Sequence, residues 1–220
     1  MKTNVYIDGL NLYYRAVRGT QYKWLDIDAL VKKMCPQNTI CKIKYFTSIV
    51  SSRPNDPGQS TRQQIYLRAL RTFPNIEIIE GHFLTSKVRM PLATPSPKGP
   101  NTAEVWRTEE KGSDVNLAVH LLNDAHNKDY EVAIVVSNDS DLGEAIRIVT
   151  QDINLKVGVV FPAGAIDPRT GTRYKLRKSQ TLLKYASFIR QIRPGVLSLS
   201  QLPNTLTDAN GTFHRPPEWQ

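Results

Sequence analysis

The feature that most constrains the fold is a repeated alternation between short β-branched runs and segments with helical spacing of apolar residues. We predict strands over residues 4–7, 40–50, 76–79, 131–136 and 155–161, and helices over residues 11–17, 27–34, 60–73, 113–127, 142–149 and 176–192. Strands that alternate with helices favour a parallel sheet that is covered on both faces. The sequence therefore predicts a three-layer α/β/α fold around a mainly parallel, five-stranded sheet.

Two stretches depart from this alternation. Residues 81–108 form an insertion, because four prolines lie between residues 90 and 100 and the flanking stretches have the composition of a β-hairpin with a proline-rich tip. After residue 194 the chain has little periodicity. We therefore predict a domain over residues 1–193 and a tail over 194–220 that is partly disordered. The oligomeric state stays open, with a homodimer through the last helix and the tail as one option.

Composition restricts the class of protein. The 220 residues suit one α/β domain with a tail, and there is no run of eighteen apolar residues, so we expect no membrane partner. The chain reaches Asp8 before a signal-peptide core is possible. Cys35 and Cys41 do not make a zinc signature and fit a reducing compartment. These observations predict a cytoplasmic protein.

Four aspartates follow the predicted strands or open a predicted helix. Asp8 ends the first strand, Asp139 and Asp141 follow the fourth, and Asp114 lies in the first turn of the helix over 113–127. Right-handed crossovers place the carboxyl ends of parallel strands at one edge of the sheet, which brings three of these acids together. Asp114 reaches that edge only if its helix enters from the same side. Each acid alone is also compatible with a turn or a helix cap.

As a group, the four acids favour a metal site. Carboxylates within ~4–6 Å of one another raise each other's pKa and need a cation to stay ionised together. Mg²⁺ and Mn²⁺ prefer such oxygen ligands and lower the pKa of a bound water. The chain carries 29 Lys and Arg against 20 Asp and Glu, a net charge of +9. Together these features predict hydrolysis of a polyanion by a metal-activated water.

Basic residues supply candidates for binding phosphates. The segment over residues 169–178 holds five positive charges and one aromatic ring, a composition that can bind phosphates and stack a base, although a solvated loop has the same composition. Its candidates are Arg169, Arg173, Lys175, Arg177 and Lys178. Lys111, Arg89 and Arg107 are further candidates beside the insertion.

Four motifs occur in an order that resembles a known family. They are YIDGLNL over residues 6–12, KGSDVNLA over 111–118, VVSNDSDL over 135–142 and KVGVV over 156–160. Over roughly residues 3–190 the chain resembles the NYN domain family, in its LabA-like branch, which is part of the PIN-like nuclease superfamily. The resemblance implies a doubly wound, Rossmann-like sheet whose acidic edge binds Mg²⁺ or Mn²⁺ and cleaves RNA or another single-stranded nucleic acid.

On that resemblance, the metal ligands and catalytic residues are Asp8, Asp114, Asp139 and Asp141. Asn11 is expected to order the site near Asp8, and Ser137 to lie beside the metal or the scissile phosphate.

Two other functions stay open from the sequence. The family usually has glycine where this chain has Asn138, and often an acid where it has His120. A non-catalytic RNA-binding regulatory protein on the same fold is therefore the alternative to a ribonuclease. A small-molecule enzyme with a dinucleotide or flavin is a third reading, but it needs a glycine-rich turn after the first strand, which residues 8–12 do not provide.

Overall fold

The computed structural model describes residues 1–52, 55–95 and 99–219. The strands are β1 Lys2–Asp8, β2 Thr39–Ser48, β3 Ile76–Pro91, β4 Thr102–Lys111, β5 Val132–Val136, β6 Lys156–Phe161, β7 Phe188–Gln191, β8 Thr205–Asp208 and β9 Gly211–His214. The α-helices are α1 Gly9–Leu12, α2 Ile27–Met34, α3 Gln59–Leu70, α4 Ser113–His126, α5 Gly143–Arg147, α6 Gln180–Tyr185 and α7 Pro194–Ser198. Single π-helical turns over Tyr13–Val17 and Ile148–Asp152 extend α1 and α5, and 3₁₀ turns cover Ser140–Leu142 and Pro217–Trp219.

The central sheet has the order β4-β3-β2-β1-β5-β6-β7 within the described residues. Every neighbouring pair is parallel except β3 with β4, which is antiparallel. The five predicted strands correspond to β1, β2, β3, β5 and β6. The prediction of five strands was too low, because β4 returns beside β3 and β7 adds an edge next to β6. The predicted α/β class and the mainly parallel sheet are confirmed.

Helices cover both faces of this sheet, as predicted. Side chains of β1 alternate between the layers: Val5 and Ile7 pack with α2, α3 and the end of the chain, while Tyr6 packs with α4, α5 and α6. This alternation follows from the two-residue period of a strand. Among the described helices, none combines the length and the apolar composition needed to cross a membrane.

The predicted hairpin explains how α4 begins at the carboxyl edge of the sheet. β3 continues beyond Gly81, its last residue paired with β2, and β4 returns until Lys111 lies opposite His82. Gly112 then turns the chain with a φ of 97°, a conformation that favours glycine, and α4 begins at Ser113. Part of the predicted proline-rich tip, residues 96–98, lies outside the described residues.

The predicted helix over 176–192 was wrong in its length. Only Gln180–Tyr185 is helical, and Phe188–Gln191 instead forms β7, parallel to β6. The ring of Phe188 lies over Gly158, where an added Cβ would be 2.2 Å from the ring. The Ser187 amide also donates to the Val157 carbonyl at 2.8 Å. Because Gly158 has no side chain, the Phe188 ring fits over β6, and β7 can pair with β6 at the edge of the sheet.

The segment after residue 193 differs from the expectation of little regular structure. It forms α7 and the antiparallel hairpin β8–β9, and it buries Leu197 and Phe213 against the layer that contains α2 and α3. Arg68 of α3 binds both carboxylate oxygens of Asp208 at 2.7 Å. The elements are short and separated by turns, so their apolar residues do not repeat with a helical or strand period.

Candidate metal centre at the strand ends

The candidate centre lies between β1 and β5, at the point where the order of strands in the sheet reverses. From β1 the chain adds β2 and β3 on one side, and later β5, β6 and β7 on the other. The carboxyl ends of β1 and β5 therefore border a crevice, which is the usual ligand position in an open α/β sheet. Asp8 is the last residue of β1, and Asp139 follows β5 by three residues.

Three carboxylates converge in this crevice. Asp8, Asp114 and Asp139 each offer an oxygen atom, and these atoms all lie within 4.8 Å of one another. Asp8 is buried and the other two are half-buried. In the described part of the chain, no Lys, Arg or His forms an ion pair with any of the three. Arg15 lines the same crevice without forming an ion pair with these acids, so no cationic side chain in the described residues is directly paired with their negative charge.

The buried carboxylate of Asp8 is held by two donors. Its Oδ1 accepts the backbone N–H of Asn11 at 2.9 Å, which caps α1, and its Oδ2 accepts the hydroxyl of Ser137 at 2.8 Å. The Ser137 oxygen in turn accepts the amide of Asp139 at 3.0 Å, and the Asn11 side chain accepts the amide of Asn138 at 3.2 Å. Asn11 and Ser137 therefore connect the end of β1 to the loop after β5.

The pKa values of two of these acids are raised. Burial, with the added fields of Asp114 and Asp139, raises the pKa of Asp8 to about 7, although the two hydrogen bonds to its carboxylate act in the opposite direction. Burial and the charges of Asp139, Glu110 and Asp141 raise the pKa of Asp114 to about 6. The folded site therefore disfavours its own negative charge, which a cation held between the carboxylates would offset.

Asp141 does not join the three converging carboxylates. Its side chain is exposed, and its backbone amide donates to Asp139 Oδ1 at 3.0 Å. Its charge still contributes to the raised pKa of Asp114. The structure therefore brings together three of the four predicted ligands. The fourth, Asp141, has an exposed side chain outside this group.

Glu110 belongs to the same pocket and was missed from the sequence. Its Oε1 accepts the hydroxyl of Ser48 at 2.5 Å and that of Ser113 at 2.7 Å, and the residue lines the crevice with Asp8 and Asp114. A signal was available, because Glu110 is the residue immediately before the KGSDVNLA motif and lies near the end of β4. It was missed because the predicted insertion ends at residue 108, which left Glu110 between the hairpin and the helix.

The carboxyl end of the basic segment over 169–178 is bound to the loop after β5 by the side chain of Asn138. Its Nδ2 donates to the Arg177 carbonyl at 3.1 Å, and its Oδ1 accepts the Ser179 amide at 2.9 Å. A glycine at this position, as in most of the family, lacks both bonds. Asn138 is therefore a clamp between the loop after β5 and the basic segment.

The predicted phosphate-binding residues divide into two groups. Arg173 donates to the carbonyls of Ala16 and Gly164, and burial lowers its pKa, so this guanidinium holds backbone segments together. The others lie on or near the surface: Arg169, Lys175, Arg177 and Lys111 are exposed and Lys178 is half-buried, with its ammonium 5.3 Å from the centre of the Phe161 ring. Lys111 forms an ion pair with Glu109 at 3.2 Å.

His120 lies away from the centre. Its Nδ1 is 3.1 Å from the ammonium of Lys44, which is paired with Asp124. Six residues of α-helix separate it from Asp114, a rise of about 9 Å. The position at which relatives often have an acid therefore belongs, in this chain, to a second polar cluster under α4.

Comparisons with known proteins agree with the fold and the motifs. The model of the NYN domain family matches residues 2–181. The chain is 30% identical, over 244 aligned positions, to 6-hydroxy-3-succinoylpyridine 3-monooxygenase HspA of Pseudomonas putida (strain DSM 28022 / S16), and the match covers 100% of this chain and 75% of that protein. Among solved structures, it is similar in fold to VPA0982, a protein of unknown function from Vibrio parahaemolyticus RIMD 2210633. That similarity has a TM-score of 0.52 at 20% identity and covers 87% of this chain and 93% of the other.

Proposed function

The chain belongs to the NYN domain family, as its motifs predict, and from this premise we propose that it is a metal-dependent ribonuclease. The observation that carries the proposal is the convergence of Asp8, Asp114 and Asp139 without a cationic partner among the described residues, in a chain of net charge +9. The acids supply a site for a divalent cation, and the basic surface around them suits a polyanionic substrate.

The donor set fits Mg²⁺ or Mn²⁺. These hard cations take carboxylate oxygens and keep several water ligands, and three carboxylates within 4.8 Å offer such a set. Asp8, Asp114 and Asp139 would hold the ion, with Asp141 and Glu110 close enough to act through water. When bound, the ion would supply an activated water and neutralise charge on the phosphoryl oxygens.

The surrounding residues position these ligands for hydrolysis. Ser137 and the Asn11 amide fix the two oxygens of Asp8, so that carboxylate is oriented before any ligand arrives. Ser137 also sets the Asp139 loop through the Asp139 amide. Asp114, in the first turn of α4, faces Asp8 and Asp139 and supplies the third carboxylate of the set.

The basic segment would bind the RNA backbone. Arg169, Lys175, Arg177 and Lys178 lie on the loop that Asn138 clamps beside the acids, and Lys111 precedes α4 on the other side of the crevice. Arg173 is left out of this role because its guanidinium already binds two carbonyl groups.

Cleavage of a labelled single-stranded RNA, titrated with Mg²⁺ and Mn²⁺, tests the proposal. We expect ion-dependent cleavage that is abolished by EDTA and by Asp139→Asn. If the RNA binds but neither the wild type nor Asp139→Asn cleaves it at any ion concentration, the protein is instead the RNA-binding regulator that the sequence leaves open.

A second candidate function follows from the relative named as a monooxygenase, since the identity of 30% extends over the whole chain. On that reading the protein hydroxylates a small heteroaromatic compound and consumes dioxygen and two electrons from a reductant. Incubation with 6-hydroxy-3-succinoylpyridine, oxygen and NADH or NADPH tests it. Stoichiometric loss of substrate and reductant, in a preparation that does not cut RNA, would favour this function over the ribonuclease.

A further inference from the structure

A second cavity lies next to the acidic crevice, on the other side of α1. It has a volume of about 160 Å³ and is enclosed by α1, the π-helical turn after it, β2, α3 and the last described residues of the chain. Leu10 and Tyr14 line both the cavity and the acidic crevice, so the two spaces are neighbours. None of the residues assigned to the metal centre uses this cavity.

The walls of the cavity combine aromatic rings with aliphatic, amide and charged side chains. The Tyr66 ring lies 6.4 Å from the ring of Tyr45 and 6.1 Å from that of Trp219, measured between centroids, and all three line the space. Glu218, which precedes Trp219, forms an ion pair with Arg62 of α3 at 3.3 Å and thereby holds the chain end against the opening. Aromatic side chains such as these stack on a planar ring.

The size of the cavity selects a single ring. An engineered apolar cavity of about 150 Å³ in another protein is large enough for benzene. A space of about 160 Å³ therefore accommodates one six-membered ring with a small substituent, and a fused two-ring system needs more room.

Polar groups make this cavity different from an apolar void. Tyr45 is only 6% exposed, yet its hydroxyl has no hydrogen-bond partner among the described residues, whereas the Tyr66 hydroxyl donates to the Leu25 carbonyl at 2.9 Å. Thr47 follows two residues later on the same face of β2 and also lines the cavity. The Tyr45 hydroxyl is not among the fully enclosed unpaired atoms of the described residues, so it is open to the cavity and available to hydrogen-bond to a ligand there.

From these features we propose that the cavity binds a planar, six-membered heteroaromatic ring that carries an oxo or hydroxyl group. The ring packs against the side chains of Tyr66 and Trp219, which contact each other edge to face, and its oxygen or ring nitrogen bonds to the hydroxyl of Tyr45. Two sources have this chemistry: a pyrimidine base of an RNA strand that crosses the acidic crevice, and a free hydroxypyridine. The inference does not depend on RNA cleavage, because binding is measured without a metal ion.

Isothermal titration in EDTA with three probes tests the proposal and separates the two sources. The probes are uridine 5′-monophosphate, 6-hydroxypyridine-3-carboxylate and, as a ring of similar size without the hydroxyl or ring nitrogen, benzoate. Binding of the nucleotide alone identifies an RNA base, binding of the hydroxypyridine alone identifies a free small molecule, and binding of both supports the shared ring chemistry. Absence of saturable binding of either up to about 10 mM, or equal affinity for benzoate, overturns the proposal.

Two tyrosine variants show whether the binding takes place in this cavity. Tyr45→Phe removes the hydroxyl without the ring and is expected to weaken binding of the selected probe about five- to tenfold. Tyr130→Phe is the matched control, since its buried hydroxyl donates to the Leu121 carbonyl on the opposite face of the sheet, and it should bind as the wild type does. Unchanged affinity in Tyr45→Phe would place the ligand elsewhere and overturn the assignment.

Discussion

Helix α4 carries two aspartates whose surroundings differ in one decisive respect. Asp124, near its carboxyl end, is buried and bound by the ammonium of Lys44 at 2.7 Å and by the hydroxyl of Tyr6 at 2.6 Å. Asp114, in its first turn, faces Asp8 and Asp139 without an ion-pair partner in the described residues. The first cluster contains its own cation and the second does not.

The difference separates a structural cluster from a ligand site. A buried charge is tolerated when a partner of opposite charge and hydrogen bonds compensate it. Lys44 and Tyr6 provide that compensation for Asp124 within the protein. The three acids at the strand ends have no such partner in the described residues, and burial together with the charges of neighbouring acids raises the pKa values of Asp8 and Asp114.

The largest effect on stability is expected from removing the cation that pairs with Asp124. Lys44→Met removes the cation and leaves Asp124 buried without its partner, so the free energy of unfolding should fall by about 3–5 kcal/mol. Urea unfolding at pH 7 measures this. Lys32→Met is the matched control, because Lys32 pairs with Asp28 on the helix surface, and it should change the stability by less than ~0.5 kcal/mol. Equal losses in both variants would contradict the contrast.

At the acidic centre we expect a substitution to reduce activity without reducing stability. Asp8→Asn keeps one oxygen that accepts the Asn11 amide, and its NH₂ group can donate to the Ser137 oxygen, but it removes a charge, so RNA cleavage should fall by about a hundredfold or more. The free energy of unfolding in EDTA at pH 8 should stay equal or rise, since the variant no longer buries a carboxylate among like charges. Loss of activity together with a loss of stability would mean that Asp8 serves the fold instead.

The pH dependence gives the next test. An unfolded chain loses the Asp8 proton near pH 4, whereas the folded protein keeps it until about pH 7. The folded state binds more protons between these values, so the stability of the metal-free protein should fall as the pH rises through this window and level off above it.

Divalent cations should reverse this trend. Because protons compete with the ion at Asp8 and Asp114, the affinity for Mn²⁺ should weaken as the pH falls below about 7, by up to roughly tenfold per unit for each proton displaced. Calorimetric titrations between pH 5.5 and 8 would measure it, with those pH values chosen to bracket roughly the two raised pKa values. An affinity independent of pH would argue against these acids as the ligands.

The smallest effect is expected at the clamp beside the centre. Asn138→Gly removes the bonds to the Arg177 carbonyl and the Ser179 amide, and it should raise KM for RNA roughly fivefold while kcat changes little. Asn154→Gly, at a position with φ of 62° away from the crevice, is the control and should leave both constants unchanged. A fall in kcat alone would show that Asn138 acts on the acids and not on the basic segment.

Much of the fold followed from the sequence because it depends on local patterns. The apolar runs of β1, β5 and β6 are short-range signals that the structure retains. The strand β7 was hidden, because its pairing depends on the space that Gly158 leaves in a distant strand. The regular structure after residue 193 could not be predicted for the same reason. Contacts with α3 and the core stabilise α7 and β8–β9, whose apolar residues have no helical or strand period.

The sequence predicted the acidic residues of the site but not the contacts between distant segments that surround them. Strand ends indicated that Asp8 and Asp139 share one edge, and the hairpin was predicted, but that it brings Asp114 to the same edge became visible only in the topology. The bonds of Asn138 to residues 177 and 179 and the structural role of Arg173 depend on contacts between segments far apart in the chain. Periodicity and local motifs do not report such contacts.

The central claim is that a divalent cation completes the acids at the strand ends. A crystal soaked in Mn²⁺ and measured at the manganese absorption edge tests it most directly. We predict an anomalous peak within roughly 2.2 Å of carboxylate oxygens of at least two of Asp8, Asp114 and Asp139, and no such peak in crystals of Asp8→Asn. A wild-type crystal soaked to saturation in Mn²⁺ that shows no peak at these acids would contradict the account. An equally strong peak in crystals of Asp8→Asn would contradict it as well.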